Sequence, residues 1–389
     1  MIHDFDKVID RRNSDSSKWN VKDNEIAMSI ADMDFQVAKP IREAIHKKAD
    51  YGIFGYTDVP DRYYQVIADW WKNEHNFTMK QEWMVFCTGV VPAISSIVRK
   101  LTTPAENVLI QSPVYNIFYN SIYNNGRNIL SSDLVYKDGT YEIDFNDLEE
   151  KLANPQTTMM ILCNPHNPVG KIWDKHTLMK IGELCNKHHV IVVSDEIHCD
   201  ITLTDESYIP FASVNETCAN ISITCVSASK AFNMAGLQAA CVIIPNPYLR
   251  HKVIRGLNTD EVAEPNVFAI DATIAAFQSS RDWLIECVNY IRENRKIASQ
   301  YLRENIKELT LINAKATYLL WIDCQKITND TRELCDYLRN ETGLIVSDGA
   351  GYGKNGKGFI RVNIACPRTI MMEGLKRLEI GINKFKENN

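Results

Sequence analysis

Eleven cysteines are scattered along the chain, yet no two are spaced C-x-x-C, and their number is odd. That pattern supplies neither a zinc-binding spacing nor a disulfide framework. Cys163, Cys225 and Cys241 fall inside apolar runs, where a reduced thiol packs as a small hydrophobe. Positive charge is not in excess. Lys and Arg total 43 against 49 Asp and Glu, a net charge of −6, and no basic block stands out. Nucleic acid is therefore not expected as a partner. No apolar run approaches the ~20 residues of a membrane span. The opening Met1-Ile2-His3-Asp4-Phe5-Asp6-Lys7 has no apolar stretch of the export-signal kind. Repeats and low-complexity tracts are also missing. The expectation is a cytoplasmic globular protein with no metal ligands.

What is present is a long alternation of short apolar runs and amphipathic stretches. Residues 84–87, 108–110, 128–130, 158–163, 190–194, 221–226 and 239–244 read as strands. Helical patterns lie between many of them, as at 91–100, 117–124 and 175–188. Such alternation predicts an α/β fold with a mostly parallel sheet covered on both faces. Residues 269–309 carry apolar residues at helical spacing and predict one or two long helices. Beyond them, strands at 318–322, 344–346 and 359–364 and helices near 331–341 and 368–386 read as α+β. A chain of 389 residues suits two domains. The expected division is an irregular segment, 1–45, joining the small domain, a large domain over 46–285 and a small one over 286–389. Gly351-Tyr352-Gly353-Lys354-Asn355-Gly356 fits G-x-G-x-x-G, and 351–358 approaches a Walker A loop. Both motifs need a following helix. A strand-like Phe359-Ile360-Arg361-Val362-Asn363-Ile364 follows instead, so the glycines are expected to form a flexible loop before an edge of the small domain.

Three strand ends carry the chemistry. Ser227-Ala228-Ser229-Lys230 follows an apolar run. A lysine desolvated at the mouth of a sheet loses its proton more easily and can condense with an aldehyde. Hydroxyls beside it can hold a phosphate. Lysine and two serines at one strand end suggest an anchor for pyridoxal 5′-phosphate (PLP); the plainer reading is a solvated lysine at a helix start. Leu162-Cys163-Asn164-Pro165-His166-Asn167-Pro168-Val169-Gly170 is a strand running into a stiff loop, where Asn167 can offer its amide to a phenolate-type oxygen. Val193-Ser194-Asp195-Glu196-Ile197-His198 ends a buried-type strand in two carboxylates. Ligands bind at such ends of open α/β sheets. Asp195 can there keep a pyridinium nitrogen protonated. Each segment alone can be an ordinary turn or a solvated acid.

Together with Ala31-Asp32-Met33-Asp34-Phe35, Phe54-Gly55-Tyr56-Thr57, Thr88-Gly89-Val90-Val91-Pro92-Ala93 and Arg361-Val362-Asn363-Ile364-Ala365-Cys366-Pro367-Arg368, the chain resembles fold type I PLP enzymes, the class I/II aminotransferase superfamily. Within it the chain resembles the MalY/PatB branch of cystathionine β-lyases, or C–S lyases. The resemblance implies a large domain with a mostly parallel seven-stranded sheet between helices, plus a smaller α+β domain. It implies that Lys230 is the Schiff-base lysine and the base for the Cα proton. Asp195 is then the partner of the ring nitrogen, Asn167 of the ring's 3-oxygen, and Tyr115 the aromatic stacked on the ring. Gly89, Val90 and Val91 open a helix onto the phosphate, with hydroxyls from Ser227 and Ser229. His198 stands where many aminotransferases carry a tyrosine near the 3-oxygen. Arg361 grips the substrate α-carboxylate, a task for a bidentate fork, beside Asn167 and Ala31. Tyr56 reaches the phosphate of a neighbouring subunit, which implies a homodimer.

Gln238 occupies the place of a phosphate-binding arginine in many aminotransferases, which favours the lyase branch. Ser29 replaces the tryptophan usual in that branch, and Ala231 a common threonine. The implied reaction is α,β-elimination from L-cystathionine or a related cysteine S-conjugate, giving pyruvate, ammonia and a thiol. A class I/II aminotransferase is the competing enzyme. A non-catalytic regulatory or interaction module on the same fold is the competing class.

Overall fold

The structure is a computed structural model that describes residues 3–388. Met1, Ile2 and Asn389 lie outside the described residues. Seven strands form the central sheet: β1 (Met84–Cys87), β2 (Asn107–Ile110), β3 (Asn128–Ser131), β4 (Thr157–Cys163), β5 (Ile191–Asp195), β6 (Ser222–Val226) and β7 (Ala240–Ile243). Their spatial order is β1-β7-β6-β5-β4-β2-β3. All neighbours are parallel except those of β7, which runs antiparallel to both β1 and β6. Each of the seven expected strands is present, shifted by a residue or so at its ends.

The period-two alternation of a strand assigns β4 to two cores. Met159, Ile161 and Cys163 pack on one face with the apolar stripes of α3 (Val90–Leu101) and α6 (Pro247–Thr259). Met160 and Leu162 pack on the other with Leu178, Ile181 and Cys185 of α5 (Lys175–Lys187). A strand covered on both faces needs apolar side chains on both, and this explains its unbroken run. The helix α4 (Ile117–Tyr123) follows β2.

Helices α1 (Lys39–Tyr51), α2 (Asp61–His75), α7 (Ala269–Ser279) and α8 (Arg281–Asn305) join a third core with the small sheet. Residues 45 and 46 both lie in α1, and 285 and 286 both lie in α8, so each expected domain boundary falls within a continuous helix. The small sheet has strands β8 (Thr310–Leu311), β9 (Leu319–Asp323), β10 (Ser347–Asp348) and β11 (Phe359–Asn363), in antiparallel order β8-β9-β11-β10. Two longer helices complete it, α9 (Thr331–Thr342) and α10 (Arg368–Asn388). Ile26–Ala27 pairs in parallel with Leu344–Ile345 and ties the N-terminal segment to this part of the chain.

The glycine-rich segment departs from expectation. No helix follows it, as anticipated, but β11 is an inner strand, because two-residue β10 supplies the edge. Residues 349–356 form two short 3₁₀ turns with Tyr352 buried. The segment docks on the large sheet's loops: Val114 N–H donates to Tyr352 O at 2.8 Å, and Asn355 Nδ2 to Ser112 O at 2.7 Å. Among the described residues no helix is long and apolar enough to cross a membrane. All eleven cysteines are free, and ten are buried.

Candidate active site

Parallel pairing brings three strand ends to one line. Cys163 of β4 lies opposite Asp195 of β5, and Asp195 opposite Cys225 of β6. The loop carrying Asn167, the carboxylate of Asp195 and the turn carrying Lys230 therefore open at the same edge. They line a cavity of about 240 Å³ together with Gly89, Val90, Val91, Tyr115, His198, Ser227, Ser229, Gln238 and Ala31. Gly170 ends the Asn167 loop at φ +67°, where a Cβ would stand 2.7 Å from Ala316 O; a side chain there is excluded twice, by backbone and by space.

Lys230 donates from Nζ to Ala31 O at 2.6 Å. Burial lowers its pKa to about 8, helped by the charge of Arg361, while Asp32 and Asp195 pull the other way. Burial also raises Asp195 to about 7, against the Ile197 N–H and the charge of Lys230. Its side chain accepts from Ile197 N at 3.2 Å and has no other donor among the described residues. Asn167 accepts from Arg361 Nη1 through Oδ1 at 3.3 Å, which leaves its Nδ2 as a donor at the cavity wall. Tyr115 is raised to about 12, mainly by burial and then by Asp195. His198 is held down at about 3 by burial and by the charges of Lys230 and Arg361. Its buried Nδ1 has no hydrogen-bond partner, and its ring stands edge-on to Tyr318 at 6.1 Å between centroids.

α3 begins at Gly89 without a side-chain cap, so the free N–H groups of its first turn meet the cavity. Among the lining residues Lys230 is the only Lys or Arg. An anion here would rest on helix N–H groups and hydroxyls more than on formal charge. The Ser227 hydroxyl donates to Ala239 O at 2.6 Å and accepts from Ser229 N at 3.0 Å. Ser229 has no such commitment of its hydroxyl in the described contacts. Gln238 lines the wall and adds no formal charge.

Arg361 lies just behind this wall, 5% exposed. Nη2 donates to Ser29 O at 3.0 Å, and the guanidinium stacks 4.9 Å from the centre of the Tyr352 ring. Its buried Nε is unpartnered, a donor available to a carboxylate. Tyr56 is elsewhere, fully exposed between α1 and α2.

Several positioning residues escaped the sequence reading. Asn233 Nδ2 donates to Met33 O and Phe35 O at 3.0 and 2.9 Å. Asn363 Nδ2 donates to Ile30 O and Asp32 O, each at 2.7 Å. Asp34 takes Arg11, Lys18 and the Trp19 indole at 2.6, 2.8 and 2.7 Å. Together they hold the strap that carries Ala31 across the mouth. The Ala31–Phe35 block was a signal for that strap; its distant partners had none.

The donor set fits PLP. The buried carboxylate of Asp195 could take a protonated ring nitrogen, Asn167 Nδ2 could donate to a ring oxygen, and the uncapped start of α3 could hold a phosphate. The Lys230 amine, in the same cavity, could condense with the aldehyde. A lysine and a carboxylate thus stand at adjacent strand ends of one mostly parallel sheet. The profile of aminotransferase class I and II matches residues 23–378, and the chain belongs to that family. Cystathionine beta-lyase PatB of Bacillus subtilis is 39% identical over 386 residues, which cover 97% of this chain and 100% of the relative. Protein MalY of Escherichia coli is 31% identical over 385 residues, covering 97% and 98%. The crystal structure of cystalysin from Treponema denticola, which contains pyridoxal 5′-phosphate, matches with a TM-score of 0.96 at 31% identity, over 99% of this chain and 100% of that one.

Proposed function

We propose that the chain is a PLP-dependent carbon–sulfur β-lyase acting on L-cystathionine or related cysteine S-conjugates. The observation that carries this reading is the amine of Lys230, hydrogen-bonded to Ala31 O and enclosed in one cavity with Asp195, Asn167 and the open end of α3. The name of the Bacillus subtilis relative supports the choice of sulfur substrate.

Bound in the cavity, the cofactor supplies an electron sink for a carbanion at the substrate Cα. The chain's residues do the rest. Arg361 fixes the α-carboxylate through its unused N–H groups, and that sets the Cα–H bond toward Lys230. Lys230 takes the Cα proton as general base; an amine titrating near 8 is matched to that task. Loss of the proton allows the Cβ–S bond to break, with the electron pair leaving on sulfur. Addition of water to the remaining three-carbon unit gives pyruvate and ammonia. Asp195 would hold the ring nitrogen and keep its proton there, and Tyr115 would cover the ring face. His198, buried and neutral, contributes a hydrogen-bonding nitrogen near the ring oxygen. Residues 1–45 and 286–389 make one domain and 46–285 the other, in this reading. The enzyme works in the cytoplasm as a homodimer, with Tyr56 of each subunit reaching the phosphate of the other. The exposed Tyr51, Ile53, Phe54 and Tyr56 support a buried interface at that loop.

The test is incubation of purified holoenzyme with cystathionine alone, and with an amino acid plus 2-oxoglutarate. Pyruvate and free thiol without added keto acid is the expected result. Glutamate alone would make the protein an aminotransferase. Silence in both assays from a protein that holds its chromophore would leave a non-catalytic module.

A further inference from the structure

A second cavity, of about 360 Å³, lies between α2, α8 and the chain that follows β5. His75 ends α2, and Cys199 and Asp200 come more than a hundred residues later. All three line this cavity. One donor atom from each, an imidazole nitrogen, the thiol sulfur and a carboxylate oxygen, lies within 4.8 Å of the other two. The imidazole and carboxylate side chains are 8% and 4% exposed, and Cys199 is 2% exposed. His75 Nε2 stands 2.8 Å from Asp200 Oδ1, and Trp70 Nε1 donates to the same oxygen at 2.9 Å. Tyr208 packs edge-on against the imidazole, with ring centroids 5.0 Å apart. Cys199 and Asp200 do not line the Lys230 cavity, and the lyase chemistry uses none of the three.

We propose that His75, Cys199 and Asp200 form a binding site for a divalent transition metal of the zinc class, with its remaining coordination position open to the cavity. Sulfur, nitrogen and oxygen in one set suit zinc, whereas calcium and magnesium favour oxygen alone. Three protein ligands facing a solvent-filled space leave room for a fourth, a water. Charge also balances. A thiolate and a carboxylate neutralise the two positive charges, so a largely buried site acquires no net charge. In the free protein the His75–Asp200 hydrogen bond keeps the ligands together. On binding, the Cys199 thiol gives up its proton to solvent through the cavity. The imidazole proton moves from Nε2 to Nδ1, giving up the hydrogen bond to Asp200 Oδ1 and freeing the Nε2 lone pair for the metal. Trp70 orients the carboxylate from behind, the role an outer partner plays in metal sites. The ion would fasten the end of α2 to the segment leaving β5. Chain-order reasoning could not see this site, since its ligands share no short motif.

The experiment uses holoenzyme stripped by a chelator, equilibrated with Zn²⁺, passed through gel filtration and analysed for metal by mass spectrometry. The expected content is about one zinc per subunit, falling at least fivefold in both Cys199→Ala and His75→Gln. Loading with Co²⁺ should give a thiolate-to-cobalt charge-transfer band in the wild type. The band is read as a difference from His75→Gln, which holds the same cofactor chromophore. Pyruvate release should persist in both variants. Zinc that survives in both variants would place the metal on other cysteines and overturn the proposal. So would wild-type protein with no zinc above the buffer blank, or a cobalt spectrum without the thiolate band. The zinc content of wild-type protein needs no variant, so a variant that fails to fold does not shield the proposal.

Discussion

Lys230 is held against its own stability. An unfolded lysine keeps its proton to ~10.4, but the buried one releases it near 8. Between these values the unfolded chain binds more protons than the folded one, so stability rises as pH climbs through that window. Below it the amine is charged in both states, and burial costs on the order of 3 kcal/mol. Lys230→Met keeps the stem and removes the charge. The variant should release no pyruvate, yet its cofactor-free form should melt higher than cofactor-free wild type at pH 7, with the gain shrinking toward pH 10. Calorimetry across that range checks it, and a gain independent of pH would show that charge burial is not the cause. Lys230, Asp195 and Asn167 were legible because each stands just after an apolar run, and a run's end is visible in sequence. Asp34, Asn233 and Asn363 were not. The amides of Asn233 and Asn363 donate to backbone carbonyls, and the Asp34 carboxylate accepts from Arg11, Lys18 and Trp19. These partners are set by tertiary packing, so the positioning role had no local sign even where the residue stood in a motif block. Tyr318 stood at the start of an expected strand and Tyr352 in an expected flexible loop, yet the first flanks His198 and the second underlies Arg361.

At the level of elements, the same contrast separates long segments from short ones. The seven central strands, read as apolar runs, and the helices at Val90–Leu101, Lys175–Lys187, Ala269–Ser279, Arg281–Asn305, Thr331–Thr342 and Arg368–Asn388 carried enough apolar pattern to be found, whereas α1, α2 and α6 were not read. The two-residue strands at Ile26–Ala27 and Ser347–Asp348 are too short to carry a period, and missing the second made β11 an expected edge. Residues 349–356 looked flexible because glycine permits many conformations. Here glycine instead permits close docking. Gly353 has φ +127°, and a Cβ there would meet Tyr119 Oη at 2.6 Å and Ser112 Cβ at 2.7 Å. Gly353 therefore sets how near the small sheet's loop approaches the segment bearing Tyr115. It also sets the height of the Tyr352 ring under Arg361. Gly353→Ala should cost about 1–3 kcal/mol of stability through backbone strain and displacement. It should also raise KM more than it lowers kcat, because the carboxylate grip shifts while Lys230 stays. Urea unfolding and steady-state kinetics measure the two effects. A full loss of kcat at unchanged KM would show that the loop serves the chemical step and not the grip.

The whole molecule has one feature that a single chain leaves without a use. Tyr51, Ile53, Phe54 and Tyr56 stand exposed within six residues, far more apolar surface than solvent favours at one place. Little positive charge lines the cavity around Lys230, and the free N–H donors of a helix N-terminus open into it. A two-fold axis reconciles both facts, since a symmetric interface places each loop once against each partner. If Tyr56 completes the neighbouring site, the two subunits can be damaged in complementary ways. Lys230→Ala destroys the site of its own chain and leaves its Tyr56 intact. Tyr56→Ala damages only the site of its partner. A mixed dimer then has one site with both residues intact and one with neither. Random reassortment of equal amounts makes half the dimers mixed, so about a quarter of all sites should recover wild-type character. The measurement is pyruvate release after the two variants are unfolded and refolded together, against the sum of the two refolded apart. Activity equal to that sum would mean that Tyr56 acts within its own chain or not at all. A monomer in sedimentation would remove the shared site altogether.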